Sequence, residues 1–125
     1  MSESSSGEAR RVRIVCSLLP PAGTRLEGPV HVRLTVEDVS LLDSASTTVS
    51  EIDVIARTRD DLRKPFEIVA GLRAGRRYAI RGHVDRSGDG QVATGDLVTT
   101  AQHAVAGDRA VASIELPMVE VRPAD

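Results

Sequence analysis

The sequence predicts an all-β fold, an antiparallel β-sandwich of about seven strands with immunoglobulin- or transthyretin-like character. Three observations predict it. Several short segments alternate apolar and polar residues, turn signals rich in Gly, Pro, Asp and Ser separate them, and no segment sustains a helical period. The composition agrees: 41% of the 125 residues are hydrophobic but only 2% aromatic, Phe66 and Tyr78, so the interior must be built from Val, Ile, Leu and Ala. β-Branched side chains of that kind pack best on a pleated surface. The length suits one domain that buries a core without disulfide or metal staples.

Taken in order, residues 1–10 are polar and expected to form a disordered tail, leaving 11–122 as a single sandwich domain. A first strand, about Arg11 to Leu19, turns Val12, Ile14, Cys16 and Leu18 to one side and is closed by Pro20-Pro21, which remove two backbone donors. The second has the clearest alternation: Val30, Val32, Leu34 and Val36 face one way, His31, Arg33, Thr35 and Glu37 the other. The stretch Glu37 to Ser46 breaks that period and carries side chains suited to bonding their own backbone. A third strand, about Thr48 to Arg57, puts Ile52, Val54 and Ala56 on one face. Arg59-Asp60-Asp61-Leu62-Arg63 can make one helical turn, too short to be stable alone. Pro65 then opens a short strand, Phe66 to Ala70.

The central stretch is Leu72 to Thr100. Leu72-x-x-Gly75-x-x-Tyr78 leads into a strand through Tyr78, Ile80, Gly82 and Val84, which turns over Ser87-Gly88-Asp89-Gly90 and returns as a second strand, a hairpin. Tyr78 has the spacing of a tyrosine corner, in which the hydroxyl bonds backbone a few residues upstream. The run Arg109 to Val121 supplies the last strand, with Ala112, Ile114 and Leu116 on one side and Pro117 marking a bulge or an edge.

Leu19-Pro20-Pro21-Ala22, the alternating strand after it, and Glu37-Asp38-Val39-Ser40-Leu41-Leu42-Asp43-Ser44-Ala45 resemble the opening of the YbaY / YscW-type lipoprotein domain. Pro65-Phe66-Glu67-Ile68 and Tyr78-Ala79-Ile80-Arg81 are similar to its second half, so the likeness spans most of residues 12 to 121. The resemblance implies a small β-sandwich without catalytic residues, and one branch of the family pilots a secretin subunit of the type III secretion apparatus. Two features depart from the pattern: there is no lipoprotein signal, and Cys16 follows no apolar leader. What carries over is the fold and a non-enzymatic character.

Independently, Asp85-x-Ser87-x-Asp89-Gly90-Gln91-Val92-x-x-x-Asp96 fits the twelve-position calcium-loop template. Asp85, Ser87 and Asp89 stand at positions 1, 3 and 5, Gly90 at the sharp turn, the Gln91 carbonyl at 7 and Asp96 at 12. Calcium needs six or more oxygens, and water can complete the shell. The flanks read as strands where an EF-hand has helices, and Asp at position 12 is shorter than Glu. The same residues also make an ordinary hairpin turn, since Gly takes positive φ and Asp bonds its own backbone. A site here would be weak, on the order of 10⁻⁴ M.

No nucleophile–base pair, zinc motif or phosphate loop is present in the sequence, so no enzyme and no cofactor other than calcium is expected. A formal net charge of −2 and the scarcity of aromatics speak against nucleic acid. No window approaches the ~20 apolar residues of a spanning helix. The lone Cys16 reads as a buried small hydrophobe, and His31, His83 and His103 as solvated surface residues. Arg73, Arg76, Arg77, Arg81 and Arg86 read as a solvated face, with an anionic protein patch as the alternative. Without a secretory leader the chain is expected to be cytoplasmic, and periplasmic or lipid-anchored only if a leader has been removed. Two functions follow: a binding module that takes a protein or peptide by an edge or a sheet face, and a weak calcium-binding domain built on the 85–96 loop.

Overall fold

The structure is a computed structural model and describes residues 9–41, 45–105 and 110–123. Its elements in chain order are β1 (Ala9–Leu19), β2 (Val30–Asp38), β3 (Thr47–Ala56), α1 (Arg59–Arg63), β4 (Phe66–Arg73), β5 (Tyr78–Asp85), β6 (Leu97–Val98), β7 (His103–Val105), β8 (Val111–Pro117) and β9 (Val119–Glu120). Two sheets face each other. The smaller has the order β4-β1-β8, the larger β3-β2-β5-β6-β9 with β7 also paired to β5. All pairs are antiparallel except β1 with β8, which run parallel. The expected sandwich is present. Of the expected tail, residues 1–8 lie outside the described residues, and Ala9 and Arg10 already belong to β1.

Alternation along the strands builds the core. Val12, Ile14, Cys16 and Leu18 of β1 meet Val32, Leu34 and Val36 of β2, Ile68, Ala70 and Leu72 of β4, and Ile80 and Val84 of β5, each at most 2% exposed. A fully buried aliphatic side chain of this kind stabilises the fold by about 1.5–3 kcal/mol. Gly82 keeps the inward phase of β5 but has no side chain. A Cβ there would lie 3.3 Å from Leu34 Cδ2 and 3.5 Å from Leu18 Cδ2, so its absence lets the two leucines close over the strand. Cys16 is the buried hydrophobe expected of it, and burial pushes its thiol up to about 11.

Three local features hold the frame, two of them where the chain changes layers. Between β4 and β5 the backbone N–H of Arg73 donates to the Tyr78 hydroxyl at 2.8 Å, the expected corner. Before β4, the single turn α1 persists because Thr58 Oγ1 accepts from Asp61 N–H while Asp61 accepts from the N–H of Arg57 and Thr58. Leu62, fully buried, fastens it to the core, so packing supplies what length does not. After β2, Ser40 N–H donates to Asp38 Oδ1 at 2.9 Å, one of the side-chain-to-backbone turns anticipated there. Residues 42–44 of that stretch lie outside the described residues.

Two expectations about strands are corrected. The run ending at Val121 is not one strand: β8 pairs with β1 in the small sheet, and after Pro117 β9 pairs with β6 in the large one. Proline has no N–H to continue a ladder, which is why the switch falls there. The return arm of the central hairpin is likewise split, Leu97–Val98 pairing with Val84 and His83, and His103–Val105 with Ile80 to Tyr78. Between them Thr99 N–H donates to the Gly82 carbonyl at 3.2 Å and the Thr99 hydroxyl accepts from Gly82 N–H at 3.2 Å, so a side chain stands in for one backbone acceptor of the ladder.

Candidate functional site

The connection from β5 to β6 runs from Arg86 to Asp96, longer than a tight turn over Asp89-Gly90, and its shape is set by two buried carboxylates. Asp96, fully buried, accepts four hydrogen bonds: the N–H groups of Arg86 (2.8 Å) and Ser87 (2.9 Å) on Oδ1, and Ala93 N–H (3.0 Å) with His83 Nε2 (2.8 Å) on Oδ2. Asp85 accepts from Gly88 N–H (2.9 Å) and Ser87 Oγ (3.0 Å) on Oδ1 and from Gly90 N–H (2.8 Å) on Oδ2. Asp89 Oδ1 takes Gln91 N–H at 3.0 Å. Gly90, at φ 79°, allows the chain to bend back so that its N–H reaches Asp85. Its carbonyl meets Arg33 Nη1 from β2 at 3.3 Å, which ties the loop to the outer face of the large sheet.

Burial alone would raise the Asp96 carboxyl, but the bonds from His83, Ser87, Ala93 and Arg86 outweigh it and hold it below the usual carboxylate value. Asp85 follows the same balance. Desolvation raises it, the N–H groups of Gly90 and Gly88 and the Ser87 hydroxyl lower it further, and the Asp96 charge opposes them. Both are therefore anions held by their surroundings rather than proton donors.

Of the residues singled out from the sequence, Asp85, Ser87 and Asp89 converge. Ser87 Oγ lies 3.0 Å from Asp85 Oδ1 and 2.9 Å from Asp89 Oδ1. A hydroxyl has one hydrogen, so it can satisfy only one of these oxygens at a time. His83, Asp85 and Asp96 bring a ligand atom each within 4.8 Å of one another. Gln91 is exposed and engages Asp89 through its N–H. His83 is absent from the twelve-position template because it precedes the loop. The signal for it was its place two residues before Asp85, on the same face of β5.

The histidines do not meet. His31 lies opposite Asp85 and bonds Asp53 at 2.7 Å, whereas His83 lies opposite Arg33. His83 is not the solvated residue expected: its side chain is 12% exposed, because Asp96 draws it under the loop. Three of the five arginines pair with acids, Arg76 with Asp38 (2.9 Å), Arg81 with Glu37 (3.0 Å) and Arg86 with Glu120 (3.6 Å). Exposed pairs of this kind contribute about 0–1 kcal/mol each and leave little net positive field.

No protein-family profile matches this chain, and no curated protein does. A solved structure does. It is an alternative pilotin from the type II secretion system of Vibrio cholerae, with a TM-score of 0.74, 19% identity, and coverage of 91% of this chain and 100% of that one. At this identity the likeness is one of fold: the chain is a pilotin-like sandwich. The resemblance drawn over residues 12 to 121 is met at that coarser level. Among the described residues no helix is long and apolar enough to cross a membrane.

Proposed function

We propose that this chain is a non-enzymatic, secretion-related module that takes hold of a partner polypeptide, a member of the YbaY / YscW-type group in the manner of a pilot protein. The observation that carries the reading is the extent of the likeness, which runs over 91% of this chain and the whole of the pilotin. The loop chemistry is compatible with it. Asp96 has both oxygens occupied by four donors and Asp85 is held as an anion, so the buried carboxylates serve to shape the loop rather than to move protons. With this reading goes an envelope location, periplasmic or lipid-anchored, in contrast to the cytoplasmic expectation.

The test is photo-cross-linking in the native host, with a photoreactive side chain placed in turn at the exposed positions Ile55, Val92 and Val111. One discrete protein of the secretion machinery, captured reproducibly from at least one of these positions, is the expected result. Recovery of no discrete partner from a folded chain would overturn the reading.

A second reading keeps the loop as a weak calcium site, with Asp85, Ser87, Asp89 and Gln91 as ligands and Asp96 as position 12. The specific observation behind it is the single hydroxyl hydrogen at Ser87 facing two carboxylate oxygens, a gathering of oxygens that a cation relieves. Calcium should then shift the amide resonances of 85–96 and raise the melting temperature, reversibly with chelator. Shifts equal to those of an ionic-strength control would remove it.

A further inference from the structure

The strands that end the two sheets are not equally protected. β3 and β4 lie along one seam, where Ser50 Oγ donates to the Val69 carbonyl at 2.6 Å, and β3 carries Glu51, Asp53 and a bulge opposite Val36 and Glu37. β9 has two residues and β7 three, too short to template another chain. β8 is different.

Its ladder to β1 is bracketed by Arg13 N–H on the Ala110 carbonyl (2.9 Å) and Met118 N–H on the Leu19 carbonyl (3.0 Å). With Arg13 opposite Val111, Val15 opposite Ser113 and Ser17 opposite Glu115, the even-numbered residues of β8 turn their backbone groups to β1. Val111, Ser113 and Glu115 turn theirs away, and among the described residues no strand pairs with β8 on that side. The core is also unfinished along this line. Ala112 and Ile114 pack on it but stay partly exposed, whereas Ile14 and Cys16 beside them on β1 are at most 1% exposed. Pro117 closes the open stretch.

We infer that an extended segment of a partner polypeptide adds to the Val111–Glu115 edge as a fourth strand of the small sheet. The inference rests on the protein-binding reading above and names its site. Main-chain hydrogen bonds to Val111, Ser113 and Glu115 would supply affinity, and alternate apolar side chains would cover Ala112 and Ile114. Glu115 forms no salt bridge among the described residues, so the partner strand carries Lys or Arg opposite it. A second copy of this chain fits less well, because twofold pairing about Ser113 would lay Glu115 against the other copy's Val111 and leave the charge unpaired.

The experiment uses the full chain and a synthetic heptapeptide alternating Val with Thr and Lys. Titration should shift the amide resonances of Val111, Ser113 and Glu115 first and slow their hydrogen exchange about tenfold or more at saturation. Ser113→Pro deletes an outward donor and leaves the β1 ladder alone, so it should weaken binding about tenfold or more. Glu115→Lys, which alters no backbone group, should weaken it several-fold. The site is overturned if the peptide shifts nothing or shifts another strand, if both variants bind like the parent, or if sedimentation shows the chain already paired through β8 without peptide. Cross-linking separates this from the broader reading: a partner still captured by Ser113→Pro sinks the edge alone, and no capture by the parent sinks the module.

Discussion

Two segments of this molecule are organised by the same device, a carboxylate that gathers backbone N–H groups, and they sit in opposite surroundings. Asp61 shapes the turn from Arg57 to Lys64, at the surface, accepting from Arg57, Thr58 and the Lys64 ammonium. Asp96 shapes the 86–96 loop from within the fold, accepting from Arg86, Ser87, Ala93 and His83 with no exposure at all. Around Asp61 water can replace any lost bond. Around Asp96 it cannot, so each of the four donors depends on that one side chain. The same local chemistry is thus an accessory in one place and a keystone in the other.

The largest effect should follow from Asp96→Ala. Removing a buried anion from its donors, the partner His83 included, is expected to lower unfolding free energy by about 3–5 kcal/mol, measured by urea denaturation. The amides of Arg86, Ser87 and Ala93 should lose exchange protection together. A change under ~1 kcal/mol would show that water enters the loop freely and that the contrast with Asp61 is false.

Acid comes next. The folded-state values of Asp96 and Asp85 lie below the ordinary carboxylate value. The stability they contribute is therefore full above the unfolded value of about 3.9 and is lost as pH falls through the depressed folded values. Urea midpoints should fall more steeply below about pH 4 in the parent than in Asp96→Asn, and parallel curves would assign acid lability elsewhere. The smallest effect is expected at the surface turn. Thr58→Ala removes the acceptor for Asp61 N–H and should cost about 1 kcal/mol, with the loop amides unchanged. A loss as large as that at Asp96 would erase the distinction between the two segments.

How far each segment was legible in the sequence follows from how local its contacts are. Arg59 to Arg63 could be read as a single helical turn because it is contiguous in sequence, whereas the Thr58 cap that secures it was not. The inward phase of β1, β2 and β5, and the Tyr78–Arg73 bond, were legible for the same reason. The loop was half legible. Spacing pointed to Asp85, Ser87 and Asp89 as a convergent set, but nothing local revealed that Asp96 would be spent on His83 and three backbone groups. That depends on the register of β5 against β6. Nor was the change of sheet at Pro117 readable, because a proline in an alternating run ends a ladder without saying which strand comes next.

The parallel pairing of β1 with β8 joins the beginning of the described chain to its end, Arg13 beside Val111. The middle strand of the small sheet therefore acquires its second neighbour only across the long stretch between Arg13 and Val111. Closure of so long a loop is slow compared with the meeting of adjacent hairpin arms.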